Sequence, residues 1–157
     1  FDNLSACLLG GGLSSNGPEW VLRDVSRGGV GLTVSVAQSN GVRVNELVGL
    51  RMVDGAGWHV GVIRRIVQSA EDAVFVGVEL IGRDPALVLA DDGRAASEVL
   101  LCDPVRPGRT VRLAGPAEAL PVNSVVYLNF DGRVVKLRPI ALLVRGNGFV
   151  LRNYQLL

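Results

Sequence analysis

Trp20-Val21-Leu22-Arg23-Asp24-Val25, then Ser26-Arg27-Gly28, then Gly29-Val30-Gly31-Leu32-Thr33-Val34-Ser35-Val36 reads as two β-prone segments joined by a short polar turn. Asp24 and Ser26 are two apart, so on extended backbone they project to one side while Val25 projects to the other. Gly29 lets the chain bend there, or lets a ligand approach the backbone where a Cβ would block it. The turn therefore reads as a ligand-contacting element. Further along, segments 46–53, 58–67 and 74–81 are apolar and β-prone, separated by Asn40-Gly41, Asp54-Gly55 and the polar run Gln68 to Asp72, all hairpin-sized gaps. Strands this short and this closely spaced predict a small barrel or sandwich, which protects its edges better than an open sheet.

Before Trp20, residues 2–9 read as one short helix, with Asp2 or Asn3 as cap, Leu4 and Leu8 at i,i+4 and Gly10 as the stop. Gly10 to Pro18 is a linker by composition, and it has neither G-K-[ST] nor a G-x-G-x-x-G opening a helix, so no phosphate cradle is expected. After Arg83-Asp84-Pro85 a second β-rich segment begins. Its clearest unit is Ser124 to Phe130, an Asp131-Gly132 turn, then Arg133 to Arg138. A second hairpin joins Ile140–Arg145 to Phe149–Gln155 through Gly146-Asn147-Gly148, and Pro104 with Pro107-Gly108 breaks the chain before Thr110 to Leu113. Expected is an all-β chain with little helix: a small β-barrel over residues 1–83, and a β-rich extension or second small β domain over 84–157.

The spacing D-x-S-x-x-G of Asp24, Ser26 and Gly29 resembles the second half of the ligand motif of the PilZ domain, a small β-barrel family that binds bacterial cyclic di-GMP. Glu46 to Arg51, Trp58-His59-Val60-Gly61-Val62 and Val76-Gly77-Val78-Glu79-Leu80 follow in the order of that family's later strands, so the resemblance covers about residues 20–83. It implies that Asp24 accepts hydrogen bonds from a guanine edge, that Ser26 bonds ring or sugar oxygens, and that Gly28 and Gly29 admit the base. Arg27 is then the nearest cation. The alternative for Asp24 and Ser26 is a turn-capping pair bonded to its own backbone.

Receptors of this family carry an R-x-x-x-R arm upstream of the turn, whereas residues 1–22 contain no Arg or Lys. Arg23 and Arg27 have that spacing, but they flank the Asp and Ser inside one turn and cannot replace a separate arm. The chain also opens at Phe1 without Met, as a fragment, a processed product or a truncated form would. On this reading both the arm and the barrel's sixth strand belong before Phe1.

A hydrophobic fraction of 48% builds a core readily, and no uncharged apolar run approaches the roughly 18 residues of a membrane helix. With no signal peptide in view, the expected location is cytoplasmic. Cys7 and Cys102 lie far apart without a C-x-x-C, and His59 is the sole histidine, so no disulfide framework, metal site or cofactor is expected and both cysteines read as small core residues. Trp58 shares parity with Val60 and Val62 and reads as core. His59 has no Ser or Cys nucleophile placed beside it, and no carboxylates form an acid/base pair, so no enzyme is expected.

Residues 104–157 carry eight Lys and Arg against two acids, while residues 84–103 carry one Arg against five acids. The arginines are scattered among apolar residues, as on the wet faces of strands, and eight aromatics in all do not make a stacking platform for nucleic acid. The expected function is a PilZ-type regulatory protein that binds cyclic di-GMP and acts on a protein partner of motility, secretion or surface machinery. Two alternatives stand beside it: a PilZ-like adaptor that does not bind the nucleotide, and a basic β-barrel that binds nucleic acid, which charge alone supports.

Overall fold

The computed structural model describes residues 3–8, 19–39, 41–52 and 57–157. Among them are twelve strands and two short 3-10 turns, Val36–Ser39 and Ala117–Ala119. The chain divides into two compact units, Phe1–Asp84 and Pro85–Leu157, each closed on itself.

In the first unit, β1 (Asn3–Leu8), β2 (Glu19–Val25), β3 (Gly29–Ser35), β4 (Leu47–Met52), β5 (His59–Ala70) and β6 (Ala73–Arg83) close into an antiparallel barrel in the order β1-β2-β3-β6-β5-β4. Period-two alternation decides which side chains enter. Leu32 and Val34 of β3 and Val74, Val76 and Val78 of β6 face the interior, where they meet Trp20, Val48, Leu50 and Ile63. The Asp54-Gly55 turn and the Gly10 to Pro18 linker lie outside the described residues, as does Asn40. Gly41 does adopt a left-handed φ of 83°.

Two expectations are corrected here. Residues 3–8 form a strand, not a helix, and that strand is the sixth of the barrel. Its backbone pairs with β2 at Leu4↔Trp20 and with β4 from Leu4↔Met52 to Leu8↔Val48. Leu4, Ala6 and Leu8 fit a two-residue period as well as Leu4 and Leu8 fit a helical one. The ladder decides between them, because it satisfies backbone groups along two otherwise open edges, whereas so short a helix is marginal in water. Trp58 is also not a core residue. Gly57, at φ 91°, turns the chain just ahead of it, and Trp58 stays half-buried before β5 with the Arg51 guanidinium 4.9 Å over its ring. The core tryptophan is Trp20, 2% exposed.

In the second unit, β7 (Ala86–Asp91), β8 (Ala96–Leu101), β9 (Thr110–Gly115), β10 (Val126–Phe130), β11 (Arg133–Arg145) and β12 (Val150–Leu156) close in the order β10-β11-β12-β9-β8-β7. Val99, Leu101, Val111, Leu113, Leu120, Val126, Leu128, Leu137 and Tyr154 fill it. The Asp91 to Ala95 turn is closed by carboxylates: Asp91 Oδ1 accepts from Gly93 N–H at 2.8 Å, and Asp92 Oδ1 accepts from Arg94 N–H at 2.9 Å and Ala95 N–H at 3.1 Å. The segments read as Arg133 to Arg138 and Ile140 to Arg145 form one strand. β11 runs through Pro139, because β10 stops pairing at Leu137 and leaves that edge needing no N–H from the proline, while the bulge between Pro139 and Ala141 makes Ile140 the extra residue.

Two polar anchors sit in this unit. Arg152 is only 5% exposed, and its Nε–H donates to the Leu120 carbonyl at 2.9 Å, so not every arginine of the basic third lies on a wet face. Cys102 is buried as expected, and burial pushes its thiol up to about 12. Asp103 accepts from the Arg112 backbone N–H and Nε–H, each at 2.9 Å, and from a terminal Arg112 N–H at 2.8 Å. Burial alone would raise this carboxyl, but the hydrogen bonds and charge of Arg112 outweigh it and hold the pKa below the usual value. A group depressed on folding stabilises above its unfolded pKa and loses that contribution as pH falls through the folded one. Asp103→Asn is therefore expected to cost about 1–2 kcal/mol near neutrality, the worth of a charge-assisted pair, and progressively less below about pH 4. Denaturant melts of both proteins from pH 7 to pH 3 check it.

Candidate functional site

The outer face of β2, β3, β6 and β5 is where the first unit departs from regular pleating. β2 carries a bulge between Leu22 and Asp24, so Arg23 is the extra residue and Asp24 falls opposite Gly31. Arg23 turns its Nε–H onto Thr33 Oγ1 at 3.0 Å. β5 carries a matching irregularity between Ile63 and Arg65, which makes Arg64 the extra residue and sets Arg65 opposite Gly77. Since Gly31 pairs with Gly77, one row crosses four strands: Asp24, Gly31, Gly77, Arg65. An acid and an arginine thus bracket two residues without side chains. The result is an open groove of about 510 Å³, whose lining includes Asp24, Ser26, Gly29, Arg64, Arg65 and Phe75.

The floor explains the glycines. A Cβ on Gly31 would lie 2.5 Å from Asp24 Oδ1 and 2.6 Å from the Phe75 ring, so the bare Cα is what lets the ring and the carboxylate lie over β3. A Cβ on Gly29 would run into the Val78 carbonyl oxygen, a backbone atom that cannot step aside. Phe75 then carries the Arg65 guanidinium 5.3 Å from its centroid, and Arg64 pairs with Glu79 at 2.8 Å and reaches Asn45 Oδ1 at 3.4 Å.

The turn itself is held from both sides. Ser26 N–H and Oγ–H both donate to the Gly29 carbonyl, at 2.9 and 3.3 Å, and the Gly28 carbonyl accepts from Leu80 N–H at 2.9 Å. For Ser26 the turn-capping reading therefore holds, while Asp24 does not cap this turn but lies beside Gly31. Of the residues singled out by sequence, Asp24, Ser26, Gly28 and Gly29 line the groove; Arg27 is exposed and does not. The cations that do are Arg64 and Arg65, with Phe75 between Arg65 and β3. Period-two reasoning sends consecutive residues to opposite faces, and only the bulge at Arg64 brings both arginines to one.

The groove is open and its lining is chemically mixed. It offers a carboxylate acceptor, an aromatic plane, two guanidinium groups and exposed backbone, with one arginine already neutralised by Glu79.

Residues 19–85 match the family model described as cyclic-di-GMP receptor FimW, middle PilZ domain. No curated protein matches the chain. Among solved structures, the Borreliella burgdorferi PlzA protein in complex with c-di-GMP aligns over 98% of this chain and 79% of its own, at 8% identity and a TM-score of 0.38. The matched segment spans β2 to β6, including the turn and every groove residue named above, and residues 19–85 of this chain belong to the PilZ domain family.

Proposed function

We propose that the first unit is a cyclic di-GMP-responsive binding module that acts by presenting an altered face to a protein partner of motility, secretion or surface machinery in the cytoplasm. The observation that carries this reading is the row Asp24, Gly31, Gly77, Arg65: the D-x-S-x-x-G turn forms one wall of an open groove whose opposite wall supplies an aromatic plane and guanidinium groups. A guanine edge donates to a carboxylate, its ring stacks on Phe75 or Arg65, and backbone at Gly28 lets it come close. Gly28 is notable because neither its φ nor its packing demands glycine: no atom lies within 4 Å of a Cβ built there.

Charge sets the affinity. The groove holds Asp24 and Glu79 against Arg64 and Arg65, so it has no net positive charge to offer a dianionic dinucleotide. Residues 1–157 alone should bind weakly, and an added upstream segment with two arginines should bind well, bridging the ligand to the turn and swinging as it does so. Calorimetry with cyclic di-GMP on both lengths tests this. In the longer form Asp24→Ala or Ser26→Ala should weaken binding by about 1–3 kcal/mol, the cost of a hydrogen bond lost at a charged or buried partner. Gly28→Ala should weaken it without changing stability. Absence of binding by the longer form would favour the adaptor, a reading that the closed Ser26 turn and the balanced groove charge would then explain. No helix among the described residues is long and apolar enough to cross a membrane.

A further inference from the structure

The second unit carries its own concentration of arginines, none of them among the residues that line the groove of the first. Between β8 and β9 the chain makes a tight turn: Arg109 N–H donates to the Arg106 carbonyl at 3.1 Å, with Pro107 and Gly108 at the two centre positions and Gly108 at φ 74°. Proline followed by a left-handed glycine is the type II arrangement, and it fixes residues i and i+3 within about 7 Å of each other. Arg106 and Arg109 are those residues. Both are exposed, and neither has an acidic partner among the described residues.

A third guanidinium stands beside them. Arg112 is locked in orientation by its forked bonds to Asp103, which use one edge of the group. Arg106, Arg109, Arg112, Thr110, Asn153 and Asp103 line one depression of about 420 Å³. Counting Asp103, three positive charges face one negative charge there. Asn153 adds a separate sign of an unfilled role: its Oδ1 is buried without a hydrogen-bond partner among the described residues. Such an acceptor costs free energy unless something donates to it.

We infer that this depression is a phosphate-binding site, shaped for a diphosphate or phosphate monoester whose unesterified oxygens take the guanidinium N–H groups and whose hydroxyl donates to Asn153. Paired forks on a rigid turn suit tetrahedral oxyanions, and the proline–glycine turn removes the ordering cost that long arginine loops otherwise carry. Asp103 does not oppose this. It spends its oxygens on the Arg112 backbone N–H and guanidinium and fixes the orientation of that group. All residues of the site belong to the second unit.

The test is an amide and side-chain NMR titration of residues 1–157 with inorganic pyrophosphate at fixed ionic strength. Saturable shifts are expected at Arg106, Arg109, Thr110 and the Asn153 side chain. The Arg106→Ala/Arg109→Ala double variant should bind at least tenfold more weakly with the core signals of Leu113 and Tyr154 unmoved, since both arginines are exposed. Lys136→Ala, which removes a charge on β11 that is not part of the lining, should bind as the parent does. Unsaturable shifts, equal weakening by Lys136→Ala, or binding only to phosphatidylglycerol vesicles and not to pyrophosphate would each overturn the inference.

Discussion

Trp20→Ala is expected to cost the first unit about 3–5 kcal/mol, the range for emptying a large aromatic site in a closed core, and so to take a large share of a typical domain's stability. Trp20 sits on β2 at 2% exposure against Leu32, Val34, Val48, Leu50 and Ile63. The walls around it are ladder-bonded strands on both sides, so they cannot collapse into the space as a loop would. Trp20→Phe should cost far less. Its ring keeps most of the volume, and the indole Nε1–H it removes is buried without a hydrogen-bond partner among the described residues, so the loss of that donor offsets part of the lost packing. Urea unfolding followed by the fluorescence of Trp58, which lies half-buried under Arg51, measures both variants. A cost for Trp20→Ala below about 1.5 kcal/mol would mean the barrel core closes elsewhere.

Much of this core was legible in the sequence. β2, β3, β4, β5 and β6 lie where alternation and turn residues put them, and Leu32, Val34, Val76 and Val78 carry the inward parity that a two-residue period demands. What failed was local ambiguity. Six residues with leucines at both i+2-compatible and i+4-compatible positions fit a strand or a helix, and for Asn3–Leu8 only the open edges of β2 and β4, far away in sequence, settle it. Trp58 was misread for a related reason: it follows the left-handed Gly57 and lies one residue before β5, so the period counted back from Val60 runs past the end of the strand. Pro139 shows the converse. A proline that ends a strand in a regular ladder is tolerated at a bulge where one neighbour has already stopped pairing.

The groove divides in the same way. Asp24, Ser26 and Gly29 were readable as a unit because they are adjacent in sequence and carry turn chemistry. Arg64, Arg65, Phe75 and Gly77 were not, since they become neighbours of Asp24 only through two bulges, at Arg23 and Arg64, and a bulge leaves no mark in composition or period. Arg27, nearest in sequence, is exposed and is not part of the lining. The charge asymmetry of the second unit was visible, yet its distribution was not. Arg152 proves to be buried structure, Arg112 an ion-paired anchor, and Arg106 with Arg109 a pair at one turn that has no acidic partner among the described residues.

Gly29→Ala should be the most damaging change of a single methyl group near the groove. The added Cβ would overlap the carbonyl oxygen of Val78, which belongs to the β3–β6 ladder at Gly29↔Glu79 and Val30↔Val78 and has no rotamer through which to escape. Either the ladder opens at its end or β3 shifts. The expected cost is about 2–3 kcal/mol, toward the upper end of the range for forced overpacking, with faster amide exchange at Leu80, whose N–H is bonded to the Gly28 carbonyl. Gly31→Ala offers the comparison. Its Cβ meets the Phe75 ring and the Asp24 carboxylate, both side chains on an open face that can swing aside, so it should cost about 1 kcal/mol or less while reshaping the groove. Gly28→Ala, which meets nothing, should leave stability unchanged. Thermal or urea melts of the three variants give the order Gly29, Gly31, Gly28. If Gly29→Ala proved as stable as the parent, the turn would not be docked on β6, and the wall that Asp24 and Ser26 give the groove would not be fixed in place.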